Sequence, residues 1–214
     1  ITGKTTEYEL KELMASVDHE VAHDRFSCFD VLKEKSVDPK GLVMFVWNFL
    51  EDSRVNAIEA REYKGFKDNW DDCTAALVEK ILLRAEADTS PVSKITTALL
   101  CWETHVSASN FPLIELAASK TTPDKAITNV LNNYSDRLIA CHYIIDKRLG
   151  TEATYKLALD ILTELGEKCK EELKESEKTP DKADSSSGKK SSKKSDAKEG
   201  ETLKAGKTSE EKGD

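Results

Sequence analysis

The chain has 214 residues, 40 acidic against 32 basic side chains, and a formal net charge of −8. That length holds one domain of ordinary size plus a tail, and the acidic balance argues against general nucleic-acid binding, which needs a basic footprint. No apolar run reaches the length needed to cross a bilayer and no signal peptide is visible, so no membrane partner is expected and the cytoplasm is the expected compartment.

The first patterned segment covers about residues 6–30. Thr6-Glu7-Tyr8-Glu9 fits a capping box, with Thr6 as N-cap and Glu9 at the third helical position. Leu10, Leu13 or Met14, Val17 and Val21 then form one apolar stripe at helical spacing, which the periodicity assigns to the core. Beside that stripe stands His19-Glu20-Val21-Ala22-His23. Histidines four apart share a helix face, so both imidazoles can reach one zinc ion. Glu20, next to the first histidine, can take a proton from a water at the metal.

A catalytic zinc takes three protein ligands and keeps a position for water. The second segment, about residues 40–63, supplies candidates, because the apolar run from Leu42 to Leu50 is followed by two adjacent acids, Glu51 and Asp52. An ionised carboxylate beside such a run needs a cation for compensation, which either a metal or Arg54 provides. Asp52 and Asn56 are one turn apart, so Asp52 can ligate while Asn56 orients a ligand from behind, which puts Asp52 slightly ahead. Glu51 shares a face with Trp47, Val55 and Ile58 and stays as the alternative.

Further helical patterns cover about 68–89, 92–106, 123–148 and 151–177. Turn signals separate them at Asp38-Pro39, Gly65, Ser90-Pro91, Phe111-Pro112, Thr122-Pro123 and Gly150. No stretch alternates with a period of two, so helix-on-helix packing is the expected architecture. Cys101 and His105 share a helical face, but their apolar neighbours favour ordinary packing. His142, in the apolar stretch Leu138 to Ile145, reads as a core or interface histidine that could also approach the zinc site and hydrogen-bond a substrate oxyanion. Trp47, Trp70 and Trp102 read as packing anchors. Five cysteines, odd in number and without a Cys-x-x-Cys pair, fit scattered thiols in a reducing compartment. From about Thr179 onward Lys, Ser, Asp, Glu and Gly dominate, and such a segment is expected to be disordered.

A His-Glu-x-x-His helix followed by Asn48-Phe49-Leu50-Glu51-Asp52-Ser53-Arg54-Val55-Asn56 resembles the metallopeptidase-like region of CobT-like proteins that carry a von Willebrand factor A domain, several of them from phages. Phe26-Ser27 after the first motif, and Glu59 with the Tyr63-Lys64-Gly65-Phe66 turn after the second, extend the resemblance over about residues 8–70. Ala22 stands where many relatives have Gly, and the strands that edge a zincin's substrate cleft are not visible. The chain, which begins at Ile1, therefore reads as a fragment.

The resemblance implies a zinc-dependent hydrolase of the metallopeptidase type acting on a peptide or protein. His19, His23 and Asp52 or Glu51 would be ligands and Glu20 the general base, with Asn56, Arg54 and His142 near the ligands or substrate. It also implies an alternative: a non-catalytic module working with a von Willebrand A domain or an AAA+ ATPase, as in chelatase complexes. A phage origin would place it in host cytoplasm. The expected fold is thus mainly α, a zincin-like helical domain over 1–178 in which the motif helix packs on a second ligand-bearing helix. A Lys/Ser/Glu-rich tail follows over 179–214.

Overall fold

A computed structural model describes residues 7–88, 90–106 and 111–178. The capping residue Thr6 and the tail from 179 lie outside the described residues. Within them the chain is helical, with no strand: α1 (Glu7–Phe26), α2 (Asp30–Glu34), α3 (Leu42–Glu62), α4 (Lys64–Ala87), α5 (Pro91–Val106), α6 (Pro112–Ala118), α7 (Lys125–Asn132), α8 (Ser135–Cys141) and α9 (Lys147–Lys178).

Helix α3 is the central element, and its sequence explains why. Its first half presents Val46, Trp47 and Leu50, which pack with Leu99, Trp102, Leu131, Leu138, Leu157 and Ile161 from α5, α7, α8 and α9. Its second half is buried nearly all round, including Glu51, Ser53, Arg54, Asn56 and Glu59. Buried polar groups must find partners or cost stability, so this half of α3 organises a set of hydrogen bonds. Two smaller apolar clusters flank it. One joins Phe66, Val78 and Leu82 of α4 to Leu100 of α5 and to Phe111 and Ile114. The other, Ala22, Phe26, Val55 and Ile58, seals α1 against α3.

The long apolar stripe of α1 does not meet the expectation set by its periodicity. Leu10, Leu13, Met14, Val17 and Val21 are all between 42% and 52% exposed, whereas Ala15, Ala22 and Phe26 on the opposite face are buried. Small residues on the inner face bring α1 close to its neighbours. The polar side chains interleaved with them, His19 and His23, find partners there, so the inner face is satisfied without the bulky stripe.

Three boundaries also differ from the sequence reading. The pattern over 123–148 is two short helices. Asp124 caps α7 by accepting from the backbone N–H groups of Ala126 and Ile127 at 2.9 and 3.2 Å, and the chain breaks again at Tyr134, which takes φ −109° and ψ 4°. The break near Gly65 falls at Tyr63, where φ is −128° and ψ 104°, and Gly65 lies inside α4. Gly150, expected as a turn, lies in the first turn of α9. A Cβ at this position would run into the Arg54 guanidinium, so glycine is what lets the arginine lie flat beneath α9.

Candidate metal centre

The two adjacent acids of α3 face different surroundings. Glu51 is fully buried. Its Oε1 accepts from Arg54 Nη2 at 2.6 Å, Ser27 Oγ at 2.7 Å and Thr151 Oγ1 at 2.8 Å, while its Oε2 accepts from Arg54 Nε at 3.0 Å and Thr154 Oγ1 at 2.7 Å. Burial works to raise its pKa, but the Arg54 hydrogen bonds and charge, with the Thr154 and Ser27 hydroxyls, outweigh that and hold the carboxyl below its ordinary range. With both oxygens saturated, Glu51 has no lone pair to spare for a metal. Of the two candidate third ligands, the structure turns only Asp52 toward the histidines.

Arg54 is likewise buried. Besides Glu51 it donates to the backbone carbonyls of Phe26 at 2.6 Å and Ile144 at 2.8 Å. It ties α3 to the end of α1 and the approach to α9. Its compensation of a buried acid, one of the two possibilities in the sequence, is what the structure shows for Glu51.

Asp52 instead meets His19 and His23. One ligand atom from each of the three lies within 4.8 Å of the others, a group that could hold a metal ion. The Asp52 Oδ1 is 3.0 Å from His23 Nε2 and 3.8 Å from His19 Nε2. The other oxygen, Oδ2, accepts from Asn48 Nδ2 at 3.0 Å, one turn earlier on α3.

Hydrogen bonds from behind engage the Nδ1 atom of each imidazole. Ser27 has a single hydroxyl proton, which it gives to Glu51, so its oxygen accepts from His23 Nδ1–H at 3.0 Å. His19 Nδ1 lies 2.8 Å from Asn56 Oδ1, an acceptor, and therefore also carries its proton on Nδ1. With both Nδ1 atoms engaged behind, it is the Nε2 atoms that face Asp52, and His23 Nε2 lies within hydrogen-bond distance of its Oδ1. A cation shared by these three atoms, a metal ion among them, would satisfy the carboxylate and both nitrogens at once. The ring of His19 is further held by Trp70 of α4, stacked at 4.7 Å between centroids and 18° between planes. Asn56 thus lies behind His19, within hydrogen-bond distance of its ring. Ser27, Asn48 and Trp70 are additional supports that the sequence reading did not assign to this role.

The remaining candidates fall elsewhere. Glu20 is exposed on the flank of α1, in a shallow groove with Ser16, Val17, Val21 and Asp24, and is not a member of the three-residue group. His142 is fully buried and does not approach the group. Ser53 gives its proton to Glu103 at 2.9 Å, so its hydroxyl accepts from His142 Nε2–H at 3.0 Å, and His142 Nδ1 has no partner. Burial, with Arg61 and Arg54 nearby, pushes the His142 pKa down to about 4. The expected oxyanion contact is therefore replaced by a packing role behind Ser53. Cys101 is buried with its thiol near the Ala118 carbonyl, and His105 lies against the Cys101 carbonyl, so the two do not converge.

The far ends of α1 and α3 are clamped by Arg25, which donates to both Glu59 oxygens at 3.0 and 2.8 Å and to Glu62 at 2.7 Å. This clamp and the Ala22–Phe26–Val55–Ile58 cluster fix the helix pair that carries the three ligand atoms. Compared with protein families, curated proteins and solved structures, the chain has no significant match.

Proposed function

We propose that this protein is a zinc-dependent hydrolase of the metallopeptidase type, with His19, His23 and Asp52 as ligands and a peptide or protein as substrate. The observation that supports this reading best is the convergence of three potential ligand atoms from two clamped helices, with both imidazoles held by hydrogen bonds from behind. Two imidazoles and one carboxylate suit zinc and leave a coordination position open. Zinc held there supplies Lewis acidity, which acidifies a water molecule and polarises a carbonyl group. The chain's own contribution is positional. Asn56 and Ser27 hold the imidazoles, Asn48 turns the Asp52 carboxylate, and Glu20, next to His19 in the chain, would serve as the base that takes a proton from water and returns it to the leaving amine.

Partial exposure of Asp52, 32% for its side chain, gives substrate and water an approach to the centre. The test is cleavage of a peptide library by zinc-loaded wild type and by Glu20→Gln. Retained zinc with lost cleavage supports the reading, and full cleavage by the variant removes Glu20 as base. The same donor set accepts ferrous iron, so the loading step is run with both ions.

One observation favours a second reading. Glu20 stands on the exposed flank, outside the ligand group, and the apolar stripe from Leu10 to Val21 faces outward beside it. On this reading the ion only staples α1 to α3, and the helical domain is a docking module of the kind that serves a von Willebrand A domain or an AAA+ ATPase. Zinc binding without peptide cleavage in the wild type would select it.

A further inference from the structure

We propose that the cavity beside the ligand group is a subsite for a bulky apolar side chain of the substrate, of the phenylalanine or leucine class. This rests on the metal-centre reading above and assigns its specificity.

The cavity has a volume of about 240 Å³ and lies among α3, α4, α5 and α6. Three residues are common to it and the ligand group or its supports. Asp52 is a ligand, Asn56 orients His19, and Trp70 stacks on His19 while also lining the cavity. A chain lying across the ligand atoms therefore has this hollow immediately to one side. The walls beyond are apolar, formed by Val78, Leu100, Phe111 and Ile114, all buried. Sites that engulf a whole small molecule run to roughly 300–1,000 Å³, so this smaller hollow suits one side chain.

The chain goes to some length to build these walls. Asp71 of α4, buried, accepts from the backbone N–H of Leu113 at 3.1 and 3.2 Å and from that of Ile114 at 3.1 Å. This caps α6 and sets Phe111 and Ile114 over the hollow. A polar patch on the α3–α5 side, Ser53 and Glu103, is bonded to itself at 2.9 Å, with His142 behind it. A side chain entering here gains by leaving water and meets aromatic and aliphatic surface on most sides.

The test uses the full chain and acetylated Gly-Xaa-Gly amides with Xaa as Phe, Ala or Lys. Binding is followed by the indole N–H resonance of Trp70, with zinc and in metal-free His23→Ala. Two variants probe the hollow from its less buried side: Thr74→Phe, which fills it, and Leu77→Glu, which places a charge at the 54%-exposed lining residue Leu77. The expected result is at least about tenfold tighter binding of the Phe peptide than of the Ala peptide in both wild type and His23→Ala. The preference falls below about threefold in both cavity variants while their unfolding midpoints stay near wild type. Equal binding of Phe and Ala peptides, tightest binding of the Lys peptide, or an unchanged preference in both variants would overturn the proposal. A Phe preference in a wild type that takes up no zinc would support the hollow and overturn the metal reading. Zinc uptake without the preference would do the reverse.

Discussion

Glu51 and Asp52 are neighbours in the chain with opposite fates, and the contrast separates architecture from chemistry. Glu51 is enclosed by donors from α3, α9 and the loop after α1, each oxygen fully used. Asp52 is partly exposed, and the groups nearest its Oδ1 are the Nε2 atoms of His19 and His23. A saturated buried acid holds helices together. An acid that faces two imidazole nitrogens can share a cation with them. Ser27 joins the two, because the proton it gives to Glu51 obliges it to accept from His23.

The largest expected effect lies on the Glu51 side. Arg54→Ala leaves a buried carboxylate without its cation and should cost about 3–5 kcal/mol in chemical denaturation, whereas Asp52→Asn should unfold near wild type. If the two substitutions cost the same, the division between them fails.

Acid sensitivity sharpens the same comparison. His142, pushed to about 4 in the fold against an ordinary 6.5, binds fewer protons folded than unfolded between those values. Stability should therefore be full above pH 6.5 and decline as pH falls toward 4, by up to ~3 kcal/mol. Glu51, held below its ordinary value, adds a further loss only below about 4.5. Unfolding midpoints measured across this range for wild type and His142→Gln would show the upper decline flattened in the variant. An identical slope in both would remove His142 as its source.

On the Asp52 side, zinc at about one hundred times its Kd should stabilise the wild type by about 2.7 kcal/mol. The increment should vanish in His19→Ala and His23→Ala. Ser27→Ala and Asn56→Ala leave the ligands in place but release the rings, so metal affinity should fall by roughly 10–100-fold. Competition with a chromophoric chelator measures this, and unchanged affinity in both variants would deny the orienting role.

Much of this architecture was legible in the sequence. Helical class follows from the 3.6-residue apolar pattern, and the histidine pair with a downstream acid follows from spacing along α1 and α3. The face that α1 buries was not legible. Periodicity identifies a stripe, and here the bulky stripe faces outward because small residues and two histidines on the other face pack more closely. The break at Tyr134 carries no Gly or Pro, so the pattern runs through it unmarked. Ser27 stands one turn after His23 and could have been found as its partner by the same i, i+4 logic that paired the histidines. Trp70 could not, since its contact with His19 depends on how α4 crosses α1. The choice of Asp52 over Glu51 depended on Ser27, Thr151 and Thr154, and the two threonines lie about a hundred residues further along the chain.

Metal content after zinc loading and gel filtration, compared among wild type, His23→Ala and Asp52→Asn, bears most directly on the central claim. A single equivalent of zinc in the wild type, with loss in both variants while their helical content persists, is the predicted result. A wild type that retains no zinc, or an Asp52→Asn protein that holds it as tightly as the wild type, would contradict a centre completed by Asp52.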